Sequence, residues 1–118
     1  MWKRVAAITG VFASLFVTTA FAQPSSPGET GKDIAYNRAK GNCLACHAFP
    51  TQADAEQTGN SGPPQIAMQA RFPDRAVLRA KIWDATASYP QSFMPPFGKH
   101  QVLSEEEIDK VVDFVHSL

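Results

Sequence analysis

Two thiols and an imidazole fall within five consecutive residues, Cys43-Leu44-Ala45-Cys46-His47, and these are the chain's two cysteines. The spacing fits one chemistry well: two thiols reach the two vinyl groups on one edge of a porphyrin, and the next residue lies beneath its iron. Cys43 and Cys46 are then consumed as thioethers, and His47 is the expected proximal ligand of a c-type haem. Rival uses of the same residues are weaker. A structural zinc site takes four nitrogen or sulfur ligands, and the chain has no third cysteine. A thioredoxin-like Cys-x-x-Cys sits in a βαβ setting, whereas Cys43 is surrounded by Ala, Gly and helix formers. A disulfide between Cys43 and Cys46 would close a very short, strained loop.

An iron held by one histidine keeps a sixth position, for which Met68, Met94, His100 and His116 are the candidates. His116 lies near the end of a predicted helix, where a solvated or capping histidine is expected. Met68 falls on a short predicted helix close in sequence to the proximal side and reads as core. Met94 differs, because Pro95-Pro96 after it pushes it towards an extended conformation and stiffens the loop. Such a loop holds its shape at little ordering cost on folding. A soft thioether on a pre-set loop suits a redox centre whose iron changes charge without ligand movement, so Met94 is the expected distal ligand, with His100 the alternative. On the proximal side, a ligating histidine is normally oriented through its other ring nitrogen. Pro63 offers a backbone carbonyl for that bond, and a plain turn residue is an equal reading of it.

The elements that must position these groups are helical. Thr30-x-x-Asp33 resembles a capping box with Asp in place of Glu, opening a helix through about Lys40 that delivers the chain to the haem motif. Ala35 and Ala39 fall on one face of it, small enough for another helix to approach. Residues 48–64 lose periodicity and carry Pro50, Gly59, Gly62, Pro63 and Pro64, which predicts a loop under the proximal face. A short helix is expected over 65–71, broken by Phe72-Pro73. The next begins near Asp74, with Val77, Leu78 and Ile82 facing inward. Trp83 on that helix is a core aromatic or a flank of the haem. The stretch 89–98 is irregular, and the clearest helix spans 103–118. There Ser104 and Glu107 make a capping box, Leu103 can staple to Ile108, and three glutamates meet the helix dipole. Ile108, Val111, Val112 and Val115 form an apolar stripe expected to pack across the first helix.

The chain has 118 residues and balances 11 Lys and Arg against 11 Asp and Glu. Lys3 and Arg4, an apolar core over 5–17 and Ala20-Phe21-Ala22 read as a secretory signal, residues 1–22, cleaved after Ala22. The apolar core is shorter than the roughly 20 residues that span a bilayer, so an uncleaved anchor is the lesser reading and no membrane span remains after cleavage. The product is periplasmic, with a flexible Pro, Ser and Gly-rich lead over 23–30 and a single domain over 31–118. Loss of Lys3 and Arg4 leaves 9 basic against 11 acidic side chains, a formal charge of −2. With no basic run, nucleic-acid binding lacks support. The mature length of 96 residues gives a marginal apolar core, to which a buried porphyrin would add interior.

With these residues in place, the chain resembles the SoxX family, the small monohaem cytochromes of the SoxAX sulfur-oxidation complex. The resemblance runs over residues 31–118. It rests on Gly41-Asn42-Cys43-x-x-Cys46-His47, Gly59-Asn60-x-Gly62-Pro63-Pro64, Arg71-Phe72-Pro73-Asp74, Ile82-Trp83-Asp84, Met94-Pro95-Pro96-Phe97-Gly98 and Leu103-Ser104-Glu105-Glu106-Glu107-Ile108. It implies an all-α class I cytochrome c-like domain with one covalent haem c at Cys43 and Cys46 and with His47 and Met94 as axial ligands. It also implies a heterodimer with a larger SoxA-type cytochrome, acting as an L-cysteine S-thiosulfotransferase that joins thiosulfate to a cysteine of the SoxYZ carrier. In that scheme the sulfur chemistry belongs to the larger subunit, no residue of this chain is catalytic, and its electrons pass to a soluble cytochrome. A freestanding diffusible cytochrome c is the alternative.

Overall fold

The computed structural model describes residues 26–118. The expected secretory signal, and the first part of the lead after it, lie outside the described residues. Among the described residues the α-helices are α1 (Gly31–Tyr36), α2 (Met68–Arg71), α3 (Arg75–Trp83) and α4 (Glu105–His116); long loops precede α2 and α4, three residues join α2 to α3, and 3-10 turns cover Cys43–Ala45 and Ala85–Ala87. There is no strand among the described residues, in agreement with the all-α expectation.

Both capping boxes form. The Thr30 hydroxyl accepts from the Asp33 amide at 3.1 Å while the Asp33 carboxylate accepts from the Thr30 amide at 2.9 Å. Ser104 and Glu107 repeat the exchange at 3.2 and 2.9 Å. Each box satisfies amides that the first helical turn leaves without partners. On α4 the stripe Ile108, Val111, Val112 and Val115 is buried, as is Leu103 just before the cap. Burial of each such aliphatic side chain stabilises by about 1.5–3 kcal/mol, which is what holds a helix this short against its neighbours.

α1 stops at Tyr36, four residues before the expected end at Lys40. The reason is Asn37. Its side-chain oxygen accepts from the Ala39 amide at 2.9 Å, and its carbonyl accepts from the Lys40 and Asn42 amides. This local turn competes successfully with helix continuation. Ala39 is therefore exposed and does not share a face with Ala35. The close approach expected of Ala39 is supplied instead by Gly31, where an added Cβ would lie 1.9 Å from the Lys110 carbonyl oxygen of α4. Backbone meets backbone where α1 crosses α4, and one turn later Ala35 is fully buried.

Lys40 ties the crossing together, reaching Glu107 at 2.7 Å and also pairing with Glu29. Burial pushes the Glu107 carboxyl upward, but its hydrogen bonds from Lys40 and the Ser104 backbone outweigh that and hold it below the ordinary 4.5. Tyr36, Phe49 and Phe114 close the other side of the crossing, with Tyr36 edge-on to both phenyl rings.

α3 opens on Asp74, whose carboxylate accepts from the Ala76 amide at 2.8 Å. Leu78 and Ile82 are buried as expected, but Val77 is 48% exposed. Arg75 and Arg79 flank the inward face and pair with Asp113 and Asp109 of α4 at 2.6 and 2.7 Å. That fixes the rotation of α3 and leaves Val77, roughly 100° round from Leu78, on the outer side. α2 starts at Met68 rather than Gln65, because residues 65–67 are committed elsewhere. Gln65 donates its amide to the Ala48 carbonyl at 2.7 Å, and Ala67 takes a left-handed φ of 52°.

Candidate functional site

The haem motif is entered through Asn42, held in the left-handed region at φ 48°, a conformation asparagine tolerates better than most residues. The Cys46 and His47 amides both donate to the Cys43 carbonyl, at 3.2 and 2.9 Å, so a single tight turn gathers both thiols and the imidazole. Cys43 and Cys46 are not joined to each other as a disulfide. Burial pushes the Cys43 thiol up to about 11, a local backbone hydrogen bond offsets part of that, and the nearby Cys46 adds to it. This direction is opposite to that of the low-pKa nucleophile of a redox Cys-x-x-Cys. No group of three or more His, Cys, Asp or Glu side chains able to hold a metal ion occurs among the described residues.

The loop after the motif folds back along it. Gly59, Gly62 and Gln65 donate their amides in turn to the carbonyls of Leu44, Cys46 and Ala48, at 2.8, 2.8 and 2.7 Å. Two of these donors need to be glycine. A Cβ at Gly59 would lie 2.0 Å from the Ala45 carbonyl oxygen, and one at Gly62 would lie 2.4 Å from Cε1 of His47. The loop thereby sets Pro63 beside the ring, with Nδ1 of His47 2.7 Å from the Pro63 carbonyl oxygen. With Nδ1 so engaged, Nε2 is the ring nitrogen left for a metal. Gln65 also reaches this edge, its amide end lying 2.8 Å from Nδ1. Sequence reasoning gave Gln65 no role beyond a helix start, because an isolated glutamine after two prolines carries no motif.

Met94 is partly buried against the edge of the core, as are Cys43, Phe72 and Trp83. Its amide donates to the Ser92 hydroxyl at 3.2 Å. The chain beyond it is pinned firmly. The Gly98 and Lys99 amides both donate to the Trp83 carbonyl, at 3.1 and 3.3 Å, and the Lys99 ammonium reaches Asp84 at 2.9 Å. Thr86 bonds to that same carboxylate and Lys99 pairs with it, and together they hold Asp84 below the ordinary carboxylate value. Trp83 lies on Gly98, where a Cβ would come within 2.0 Å of the indole. Of the other distal candidates, Met68 is buried in the core, His100 is exposed in a turn, and His116 turns its Nε2 to the Phe72 carbonyl at 2.9 Å.

These features fit a porphyrin. The two cysteines are not joined as a disulfide, Nε2 of the imidazole is left without a protein partner among the described residues, glycine stands at the two loop positions where a side chain would clash with the motif, and Cys43, Phe72, Trp83 and Met94 stand only partly covered at the core edge. Residues 28–115 match the family described as cytochrome C oxidase, cbb3-type, subunit III. The chain belongs to that family. As a member it is an electron-transfer cytochrome with one covalently bound haem c. The fold of this cytochrome is similar to that in the crystal structure of SoxXA from P. pantotrophus, with a TM-score of 0.67 and 27% identity, covering 74% of this chain and 77% of that one. This agrees with the SoxX resemblance of the sequence. The cytochrome is also 34% identical over 77 residues to an uncharacterized lipoprotein of Aquifex aeolicus (strain VF5), a match covering 65% of this chain but only 36% of that relative. No helix among the described residues is long and apolar enough to cross a membrane.

Proposed function

We propose that this cytochrome is the one-electron subunit of a SoxAX-type complex, an L-cysteine S-thiosulfotransferase of the periplasm. Residues 1–22 act as the export signal cleaved after Ala22, 23–30 as a lead, and 31–118 as the cytochrome domain. In this reading Cys43 and Cys46 would hold the haem as thioethers, His47 and Met94 would be the residues that ligate its iron, and the Pro63 carbonyl would hold the ring proton of His47 and so fix the plane of the imidazole. When bound, the haem supplies one-electron exchange between ferric and ferrous iron. The chain's own residues do the rest: they orient the ligands, keep the Met94 loop rigid through Gly98 and Asp84, and bury the apolar edge. The larger partner subunit holds the cysteine at which sulfur chemistry occurs, the SoxYZ carrier receives the thiosulfate, and a soluble cytochrome takes the electrons.

The observation that carries this reading is the likeness to SoxXA, which extends over about three quarters of both chains at 27% identity. Purification from the native cell tests it. A stable complex with a second, larger cytochrome is the expected result; a lone monomer that reduces a terminal oxidase or reductase would establish the freestanding carrier instead.

A further inference from the structure

Both limbs of the loop that carries Met94 are tied to one carboxylate, that of Asp84, which is only 8% exposed at the end of α3. On the incoming limb one of its oxygens accepts from the Thr86 amide at 3.0 Å and from the Thr86 hydroxyl, which sets the turn Ala85–Ala87. From that turn the Ala85 carbonyl accepts from the Tyr89 amide at 3.0 Å, the Tyr89 carbonyl from the Ser92 amide at 2.9 Å, and the Ser92 hydroxyl from the Met94 amide at 3.2 Å. On the outgoing limb the second carboxylate oxygen accepts from the Lys99 ammonium at 2.9 Å, beside the Gly98 and Lys99 amides that donate to the Trp83 carbonyl. No residue between Asp84 and Lys99 is charged, so this pair is the loop's own ionic closure. Bonds to an ionised acceptor are stronger than neutral ones, and here all of them converge on a group anchored by a helix.

We propose that Asp84 is a positioning residue that, by tying both limbs of the loop to the end of α3, keeps Met94 on the iron and closes the sixth position to outside ligands. Such a loop opens locally while the rest of the fold stays intact, and the apparent affinity for an outside ligand scales with the fraction of molecules that are open. The inference rests on Met94 being the distal ligand, as proposed above.

Imidazole is the probe: added to the oxidised, haem-loaded full chain at pH 8, it replaces Met94 and removes the sulfur-to-iron band. Asp84→Asn keeps the shape of the side chain but not its charge, and should bind imidazole roughly tenfold more tightly than the parent. Lys99→Gln leaves the Thr86 bonds in place and should gain roughly threefold, the scale of a partly exposed ion pair. Glu107→Gln weakens the crossing of α1 and α4 instead and should keep the parental affinity, which separates a local hold on the loop from the stability of the whole fold. Parental affinity in either loop variant, or a comparable gain in Glu107→Gln, overturns the proposal. Should Asp84→Asn fail to fold, Lys99→Gln against Glu107→Gln decides alone. A wild-type protein that lacks the sulfur-to-iron band would instead overturn the Met94 assignment itself, so the two failures are distinguishable.

Discussion

Gly62 lies directly against the imidazole of His47: a Cβ there would come 2.4 Å from Cε1, 2.6 Å from Nδ1 and 2.9 Å from Nε2. No real side chain tolerates such distances, so the ring and this backbone segment fix one another. Gly62→Ala must therefore push the ring off the Pro63 carbonyl or the loop off the Cys46 carbonyl. We expect the thioether-bound haem to survive but stability to fall by roughly 1–3 kcal/mol, the usual cost of overpacking, with a disturbed haem spectrum. Denaturant unfolding and absorption spectra check this, and parental values for both would show that the contact is soft.

Met94→Ala should leave haem attached, because the links to Cys43 and Cys46 do not depend on it, while vacating the sixth position. The oxidised protein should lose its sulfur-to-iron band near the red end of the spectrum and bind added ligands. His100→Ala, at an exposed turn, should change neither property. An unaltered band in Met94→Ala would move the assignment away from this residue.

The Lys40–Glu107 pair predicts a particular acid response. The folded-state value of Glu107 is below the ordinary 4.5, so its contribution is complete above about pH 4.5 and is lost as pH falls below that, through the folded-state value. Glu107→Gln should be less stable at pH 7 by on the order of 1–2 kcal/mol, since it removes a charge-assisted bond from a nearly buried site. Its stability should also decline less steeply than the parent's between pH 4.5 and pH 3. Parallel curves over that interval, followed by denaturant unfolding, would contradict the assignment.

In the proposed reaction, joining a thiosulfate sulfur to a protein thiol removes two electrons, whereas this chain carries one haem and no cysteine beyond Cys43 and Cys46. The loaded chain alone should therefore leave the carrier cysteine unmodified when incubated with thiosulfate and excess electron acceptor, and modification should begin once the larger subunit is added. Mass spectrometry of the carrier reads the outcome. Full-rate adduct formation with this chain alone would force a catalytic role onto it.

What the amino-acid order determined by itself is whatever depends on neighbours a few residues away. The haem motif is a matter of spacing within one turn. The two capping boxes close over three residues, and the buried face of α4 is written in Ile108, Val111, Val112 and Val115, where helical period alone sets the direction. Burial of Met68 followed from similar local reasoning, whereas the exposure of His100, kept in the sequence as the alternative ligand, did not. Tertiary structure decided the rest, because the deciding partners are distant in the chain. Val77 looks inward by its apolar character, but the pairing of Arg75 and Arg79 with α4, 38 and 30 residues on, sets the rotation of α3. Arg38, Ala39 and Lys40 are good helix formers, yet the turn closed by Asn37 ends α1 and frees Lys40 to reach Glu107. Gln65 meets His47 only because the glycine-bearing loop folds back along the motif, a long-range pairing of backbone groups that leaves no periodic trace in the sequence.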